Sequence, residues 1–234
     1  MLMRVNAVIV AAGEGKRIGG EISKPFLPIS GRPLILHTLS RFAESRTVRR
    51  VILVVAEKDM SRCKELIRSD SKISCLECAL QAGGLRRQDS VRQGLEHLDP
   101  DCEVVVIHDG ARPFVPPRLV DHCVEVAVRE GAVVVGIPVR STIKVVSARR
   151  QVQETPLRDS LWEIQTPQVF QSKIICEAYR RAAQEDIEAT DDAMLVERLG
   201  KKVAVLEGHP ANIKITFPED FLLAEVLLRE GRVP

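Results

Sequence analysis

Four apolar runs punctuate the chain: Val5 to Ala12, Val51 to Ala56, Val104 to Ile107 and Ala132 to Val139. All are rich in β-branched residues and show almost no polar alternation. A strand with one wet face alternates, so continuous runs predict strands buried on both faces. Between them, apolar residues recur at helical spacing over about 33–45, 59–69, 88–97 and 117–130, with a last helix near 219–230. Strands alternating with helices predict a doubly wound α/β fold with a mostly parallel sheet. No internal repeat, low-complexity tract or linker divides residues 1–234, so a single domain is expected, long enough to bury a sizeable core.

One stretch departs from the alternation. After Pro138 the chain runs Val139 to Val146, turns through polar residues Ser147 to Arg150, and returns over Gln151 to Thr155 with no crossover helix. These residues predict a β-hairpin. Two strands alone are marginal in water, so the hairpin needs a surface to pack on. Its own sheet edge and a second copy of the chain both qualify, and a twofold dimer is the commonest outcome of the second.

Composition removes several functions. Charged residues make up 28% of the chain, yet the formal net charge is only +2, without the clustered excess of base that a general nucleic-acid surface requires. The N-terminus enters a strand directly, without the pattern of a secretory signal, and no apolar run reaches membrane-spanning length. A cytoplasmic protein is therefore expected. The six cysteines are scattered, as in a chain that does not depend on disulfides. Cys75 and Cys78 form a C-x-x-C, but no second pair or histidine pair accompanies it. In a stretch that reads as a strand, this predicts buried thiols and not a metal or redox site.

Ligands of open α/β sheets bind outside the carboxyl ends of the strands, which directs attention to the residues just past each apolar run. Past the first run come Gly13-Glu14-Gly15-Lys16-Arg17-Ile18-Gly19-Gly20, with Lys24 close behind. Glycines let backbone N–H groups approach an anion, and the cations supply charge. The spacing fits neither a Walker A loop nor a dinucleotide fingerprint, which would need glycine where Ile18 stands. A glycine-rich packing turn remains the alternative to an anion cradle.

Past Ile107 stand His108-Asp109-Gly110-Ala111-Arg112-Pro113. A carboxylate here suits a metal ion, held directly or through water, or sugar hydroxyls, and the arginine suits phosphate. A capping Asp beside a solvated Arg is the plainer alternative. Gly83-Gly84-Leu85-Arg86-Arg87-Gln88-Asp89-Ser90 opens a helix whose first N–H groups favour anions and carbonyl acceptors, although Asp89 or Ser90 also suits a simple N-cap. Further on lie Arg158, Thr166-Pro167-Gln168, Thr190-Asp191-Asp192-Ala193 and Asn212-Ile213-Lys214.

Cations spread over one expected face suit substrates carrying several phosphates. Two unit charges at contact distance repel by about 4 kcal/mol at an effective dielectric of 20, so joining two phosphorylated anions requires such counter-charges. Phosphoryl or nucleotidyl transfer has that requirement. A phosphate monoester acceptor, with a second pKa near 6, is largely dianionic at pH 7 and is already a nucleophile without a general base.

The ordered series of the opening loop with Ser23-Lys24-Pro25, the arginine-serine turn, His108 to Pro113, Pro138-Val139-Arg140, Leu161-Trp162 with Thr166-Pro167-Gln168, Thr190-Asp191 and Asn212-Ile213-Lys214 resembles the 2-C-methyl-D-erythritol 4-phosphate cytidylyltransferase family of non-mevalonate isoprenoid synthesis. The resemblance covers nearly the whole chain. It implies a three-layer Rossmann-like nucleotidyltransferase fold with a protruding β-hairpin arm at about 139–158. It also implies transfer of CMP from CTP to methylerythritol phosphate, with Mg2+ and release of pyrophosphate. In that pattern Arg17 and Lys24 stabilise the α-phosphate under attack. Arg158 and Lys214 position the acceptor, and Asp109, Arg112, Thr142 and Thr190 hold its hydroxyls and phosphate. Ala11, Ala12, Gly83 and Ser90 read cytosine, while Gly13, Gly15 and Arg87 face the nucleotide. The family pattern is a homodimer whose arm completes the partner's site.

Three positions depart from that pattern. Leu85 stands where relatives often carry Asp, Gly110 where Ala is more frequent, and Pro25 where some carry Gln. Gly110 is expected to loosen its turn, and Pro25 to hold Lys24 extended. Cytidylyl transfer to ribitol 5-phosphate and a sugar-1-phosphate nucleotidyltransferase are the neighbouring activities. A non-catalytic nucleotide-binding regulator is the alternative of another class, and retention of both Arg17 and Lys24 speaks against it.

Overall fold

The computed structural model describes residues 3–13 and 22–234. The first half of the chain forms β1 (Val5–Val10), β2 (Pro28–Ile29), β3 (Arg32–Pro33), α1 (Leu34–Ala43), β4 (Val48–Val55), α2 (Met60–Ser69), β5 (Glu77–Ala82), α3 (Arg87–Leu95) and β6 (Val104–Asp109). It continues as α4 (Pro117–Glu130), β7 (Ala132–Pro138), β8 (Val145–Val146), β9 (Val152–Glu154), β10 (Trp162–Gln171), α5 (Ser172–Gln184), α6 (Asp192–Arg198), β11 (Ala204–Glu207) and α7 (Pro218–Arg229).

Seven strands make one sheet in the order β11-β7-β10-β6-β1-β4-β5. The β1 pairs with β4 and β6 are parallel, as are β4 with β5 and β11 with β7, whereas β10 runs antiparallel to β6 and β7. The alternation of strand side chains divides the core in two. Ala7, Ile9, Leu53, Val106 and Val135 pack towards α1, α2 and α4, through residues such as Leu39, Phe42, Cys63 and Val124. Val8, Ile52, Val54, Ile107 and Phe170 pack towards α3, α5 and α6, through Val91, Ile175, Tyr179 and Val196. The result is the expected three-layer α/β arrangement, with continuous apolar strands because both faces are covered. A third cluster of Ile29, Leu34, Phe114, Ile215 and Ala224 seats α7 against β2 and the start of α1. No helix among the described residues is long and apolar enough to cross a membrane.

Local chemistry explains the ends of the elements. Pro117 occupies the first turn of α4, where a missing N–H costs nothing, and Gly131 closes the helix at φ 88°. β10 returns beside β7 because the two form a long hairpin, with Trp162 opposite Pro138. Its polar residues and Pro167 hide this strand in the sequence.

Several expectations change. Ala11 and Ala12 lie beyond the end of β1, outside the ladder. The arm pairs only over Val145–Val146 and Val152–Glu154, in a two-stranded sheet separate from the main one, with Val145, Val146 and Val152 exposed. Cys75 is exposed in the turn before β5, so the C-x-x-C does not lie in one strand. Only Cys78 enters the strand, where burial pushes its thiol up to about 12. Lys24 opens a short 3-10 turn, Lys24–Phe26, in place of an extended segment. Bonds from Phe26 N–H to Ser23 O (2.9 Å) and from Leu27 N–H to Lys24 O (3.1 Å) draw the chain into it.

Candidate functional site

Small residues press the strand ends together. A Cβ at Gly83 would run into the Ala12 methyl and Ser90 Oγ, and one at Gly110 would lie 2.9 Å from the Ala11 Cβ. Glycine at 110 therefore tightens the junction of β1 and β6, where a looser turn was expected. Gly83 N–H donates to Val55 O at 2.7 Å, Ala11 N–H to Val54 O at 2.7 Å and Gly110 N–H to Val10 O at 2.9 Å, which extends the sheet's pattern past its last residues. Ser90 Oγ accepts the Gly84 N–H at 3.1 Å and so closes the glycine turn onto α3. Together these contacts make a floor of backbone at the carboxyl ends of β1, β5 and β6. A Cβ at Gly13 would meet nothing within 4 Å. Gly15 and Arg17 lie outside the described residues.

A network of ion pairs stands beside this floor. Arg87 Nε donates to Asp109 Oδ1 at 2.9 Å, while Nη1 and Nη2 donate to the two oxygens of Asp192 at 3.0 and 2.8 Å. Lys214 Nζ lies 2.6 Å from the other Asp109 oxygen, and Tyr179 Oη donates to Asp192 Oδ1 at 2.5 Å. Asp192 is fully buried and Asp109 nearly so. Burial alone would raise the Asp109 pKa, but the charges of Arg87 and Lys214 outweigh it and hold the carboxyl well below the usual range. Arg87 remains charged for the converse reason: two carboxylates offset its own desolvation.

The segment 211–217 ties this network to Lys24. Lys24 Nζ donates to Ile215 O at 2.8 Å, one residue from Lys214. Ile215 N–H donates to Ala111 O at 2.8 Å, and Arg112 Nη1 donates to Asn212 O at 2.7 Å. Asn212 Nδ2 in turn bonds Thr166 O and Gln165 Oε1. The Asp220 carboxylate at the start of α7 accepts the N–H groups of Thr216 and Phe217. Burial lowers the pKa of Arg112, and its Nε has no partner among the described residues.

Thr190 is placed by its neighbours. Gln88 brackets residues 187–189, donating to Ile187 O and accepting from Ala189 N–H, each at 2.9 Å. Gln168 Oε1 accepts the N–H groups of Asp192 and Ala193 at 3.0 Å, and its Nε2 donates to Asp191. This explains Gln168 and Gln88 as supports for the acidic turn. Thr190 itself is exposed and reaches Met194 Sδ at 3.8 Å.

The core thus brings together Ala11, Ala12, Gly83, Ser90, Lys24, Arg87, Asp109, Arg112 and Lys214. It does not bring Thr142 and Arg158 to them. Both lie in the arm, where Arg158 Nη1 reaches Arg140 O at 3.4 Å. They border a groove of about 550 Å³ with Leu157, Asp159 and Ser160, and the groove is lined by none of the core residues just named. Asp192 and Tyr179 were not expected as partners. Their only signals in the sequence were the paired acids at 191–192 and the chain's single tyrosine.

Among the described residues no group of three or more His, Cys, Asp or Glu side chains suits a metal ion. Asp109, the one carboxylate considered for that purpose, already has a cation on each oxygen. The described side chains therefore do not fit a magnesium ion held by the protein alone.

Residues 5–230 match the family model described as IspD, 2-C-methyl-D-erythritol 4-phosphate cytidylyltransferase. The chain is 45% identical over 229 residues to the enzyme of that name from Dehalococcoides mccartyi, covering 98% of both chains. It is 41% identical to the one from Alkaliphilus metalliredigens, over 98% of this chain and 95% of the relative. Among solved structures it is similar to 4-diphosphocytidyl-2C-methyl-D-erythritol synthase from Anaerococcus prevotii, with a TM-score of 0.87 and 30% identity over 97% of this chain and 96% of that one. The Thermus thermophilus cytidylyltransferase structure gives 0.78 at 34% identity, over 97% of this chain and all of its own.

Proposed function

The chain belongs to the 2-C-methyl-D-erythritol 4-phosphate cytidylyltransferase family and transfers CMP to methylerythritol phosphate, and from that premise we propose how its residues divide the work. An oxygen of the acceptor phosphate attacks the α-phosphorus of CTP, the bond to the β-phosphate breaks, and pyrophosphate leaves. The acceptor is dianionic at neutral pH, so no side chain needs to remove a proton. The chain must instead neutralise charge where two anions meet and hold them in line.

Ala11, Ala12, Gly83 and Ser90 receive cytosine through the backbone floor, and Gly13 and Gly15 receive the triphosphate. Arg87 serves the nucleotide end by fixing the start of α3 beside them. Arg17 and Lys24 take the charge that builds on the α-phosphate. Lys214, Asp109, Arg112 and Thr190 receive the acceptor. The observation that carries this reading is the linkage of Lys24 through Ile215 to Lys214 and Asp109, which supports one site for both substrates. Magnesium, if bound by CTP itself, would supply positive charge that offsets the phosphates without a ligand from the described side chains.

Residues 1–234 act as one nucleotidyltransferase domain, in the cytoplasm. Its arm, 139–158, brings Thr142 and Arg158 to the site of a second copy in a homodimer. The exposed Val145, Val146, Val152 and Leu157 support a partner surface for that arm. Pyrophosphate release from CTP tests the reading against a panel of methylerythritol phosphate, ribitol 5-phosphate and sugar 1-phosphates. Release with methylerythritol phosphate alone is expected, and equal release with ribitol phosphate overturns the acceptor assignment.

A further inference from the structure

His108 is fully buried at the end of β6, tilted against Phe42, and has taken no part in the reaction so far. Its two ring nitrogens have different partners: Nε2 lies 3.0 Å from Arg112 O, and Nδ1 lies 3.1 Å from Thr166 Oγ1. A carbonyl only accepts, so the ring proton is on Nε2 and Nδ1 is the acceptor. Thr166 Oγ1 also receives the Asp109 N–H at 3.1 Å. An amide only donates, so the hydroxyl proton is directed to Nδ1. Every proton in the chain Asp109 N–H, Thr166 O–H, His108 Nε2–H, Arg112 O is thereby assigned.

The partners of this chain bound one turn. Asp109 to Arg112 is closed by Arg112 N–H donating to Asp109 O at 2.9 Å. His108 holds the last residue directly and the first through Thr166. The side chains at these two ends are the carboxylate facing Arg87 and Lys214 and the guanidinium on Asn212 O. Thr166 takes this position because the β6–β10 ladder ends at the pair Ile107 and Gln168, leaving the Asp109 N–H without a strand partner.

We infer that His108 and Thr166 are positioning residues for the acceptor phosphate substrate, holding Asp109 and Arg112 in the geometry that receives it. This rests on the reading that Asp109 and Arg112 belong to the acceptor site. Burial, which lowers the His108 pKa to about 4, keeps the ring in the neutral form that the chain requires.

The test combines kinetics with nitrogen NMR of the imidazole. Thr166→Val removes the hydroxyl but keeps the shape, and is expected to raise KM for methylerythritol phosphate by roughly tenfold with KM for CTP unchanged. Thr166→Ser is expected to restore it. In the unmodified enzyme at pH 7 the His108 proton is expected on Nε2. Equal changes in both KM values, no change in either, or a proton on Nδ1 overturns the inference. Should Thr166→Val fail to fold, the tautomer and the Thr166→Ser kinetics still decide it, since Ser must keep the acceptor KM. Asp109→Asn separates the two readings. If it leaves acceptor KM unchanged, the assignment of Asp109 to the acceptor fails. If it raises acceptor KM and Thr166→Val does not, only the positioning role fails.

Discussion

The carboxyl ends of the core strands and the arm both carry residues suited to phosphate, but they are built differently. Around Asp109 each charged group meets a countercharge or backbone oxygen from another element: Arg87 from α3, Lys214 from the segment before α7, Asp192 from α6. In the arm, Lys144 bonds Thr155 and Arg158 approaches Arg140 O, all within one hairpin and its root. The first region is organised by its own chain before any substrate arrives, which is the economical arrangement for stabilising developing charge. The second carries its cations without an ion pair to another element among the described residues, although Arg158 also borders a groove with Ile137, Glu207 and Pro210. A region of this kind gains its geometry from another surface, and a second copy is the one the arm is proposed to find.

Stability gives the largest contrast. Asp192→Ala strips the half-buried Arg87 of a bidentate partner and the buried Tyr179 hydroxyl of its acceptor, and is expected to cost about 3 kcal/mol, whereas Lys144→Ala in the arm should stay within about 0.5 kcal/mol. Urea unfolding of the two variants measures both, and similar losses would erase the distinction. Catalysis comes next. Arg17→Ala or Lys24→Ala is expected to lower kcat by about 10²–10³-fold while CTP still binds, measured by pyrophosphate release and calorimetric titration. A variant retaining wild-type turnover would remove that residue from the reaction.

The pH dependence follows from His108. Its folded pKa of about 4 lies below the ordinary value of 6.5, so the unfolded chain binds the proton more readily. Its contribution to stability is therefore complete above about pH 6.5 and declines as pH falls towards 4, by as much as about 3 kcal/mol. Urea midpoints from pH 7 to pH 4.5 should fall more steeply for the native chain than for His108→Asn. The smallest effect belongs to the arm: Arg158→Ala is expected to raise acceptor KM by about tenfold through loss of a charge-assisted contact, with CTP KM and melting temperature unchanged.

Much of this was legible in the sequence where a local rule governs it. Val5 to Val10 reads as a doubly buried strand because nothing in it alternates. His108 to Arg112 is found by its place at a strand end. What was not legible depends on pairing across long separations. Arg87 meets Asp192 across 105 positions, and Gln168 supports a helix start 24 positions away. No periodicity encodes such contacts. Arg87 read as a nucleotide ligand, and its two carboxylates come from other elements; Gly110 read as slack because the Ala11 methyl it abuts lies just past the end of another strand. β10 was hidden by Pro167 and its polar neighbours, although it is central to the sheet. The arm was visible as a hairpin, but the short extent of its pairing was not.

Subunit complementation tests most directly the claim that the core and the arm are halves of one site contributed by different copies. Lys24→Ala carries a defective core and an intact arm, and Arg158→Ala the reverse. When the two chains are produced together, half of the dimers should be mixed, and each mixed dimer should hold one complete site. At acceptor concentrations well below KM, the account predicts recovery to about a quarter of wild-type activity above the residual rates of the separate variants. Activity no greater than the average of those rates, in a preparation shown to contain mixed dimers, would contradict it.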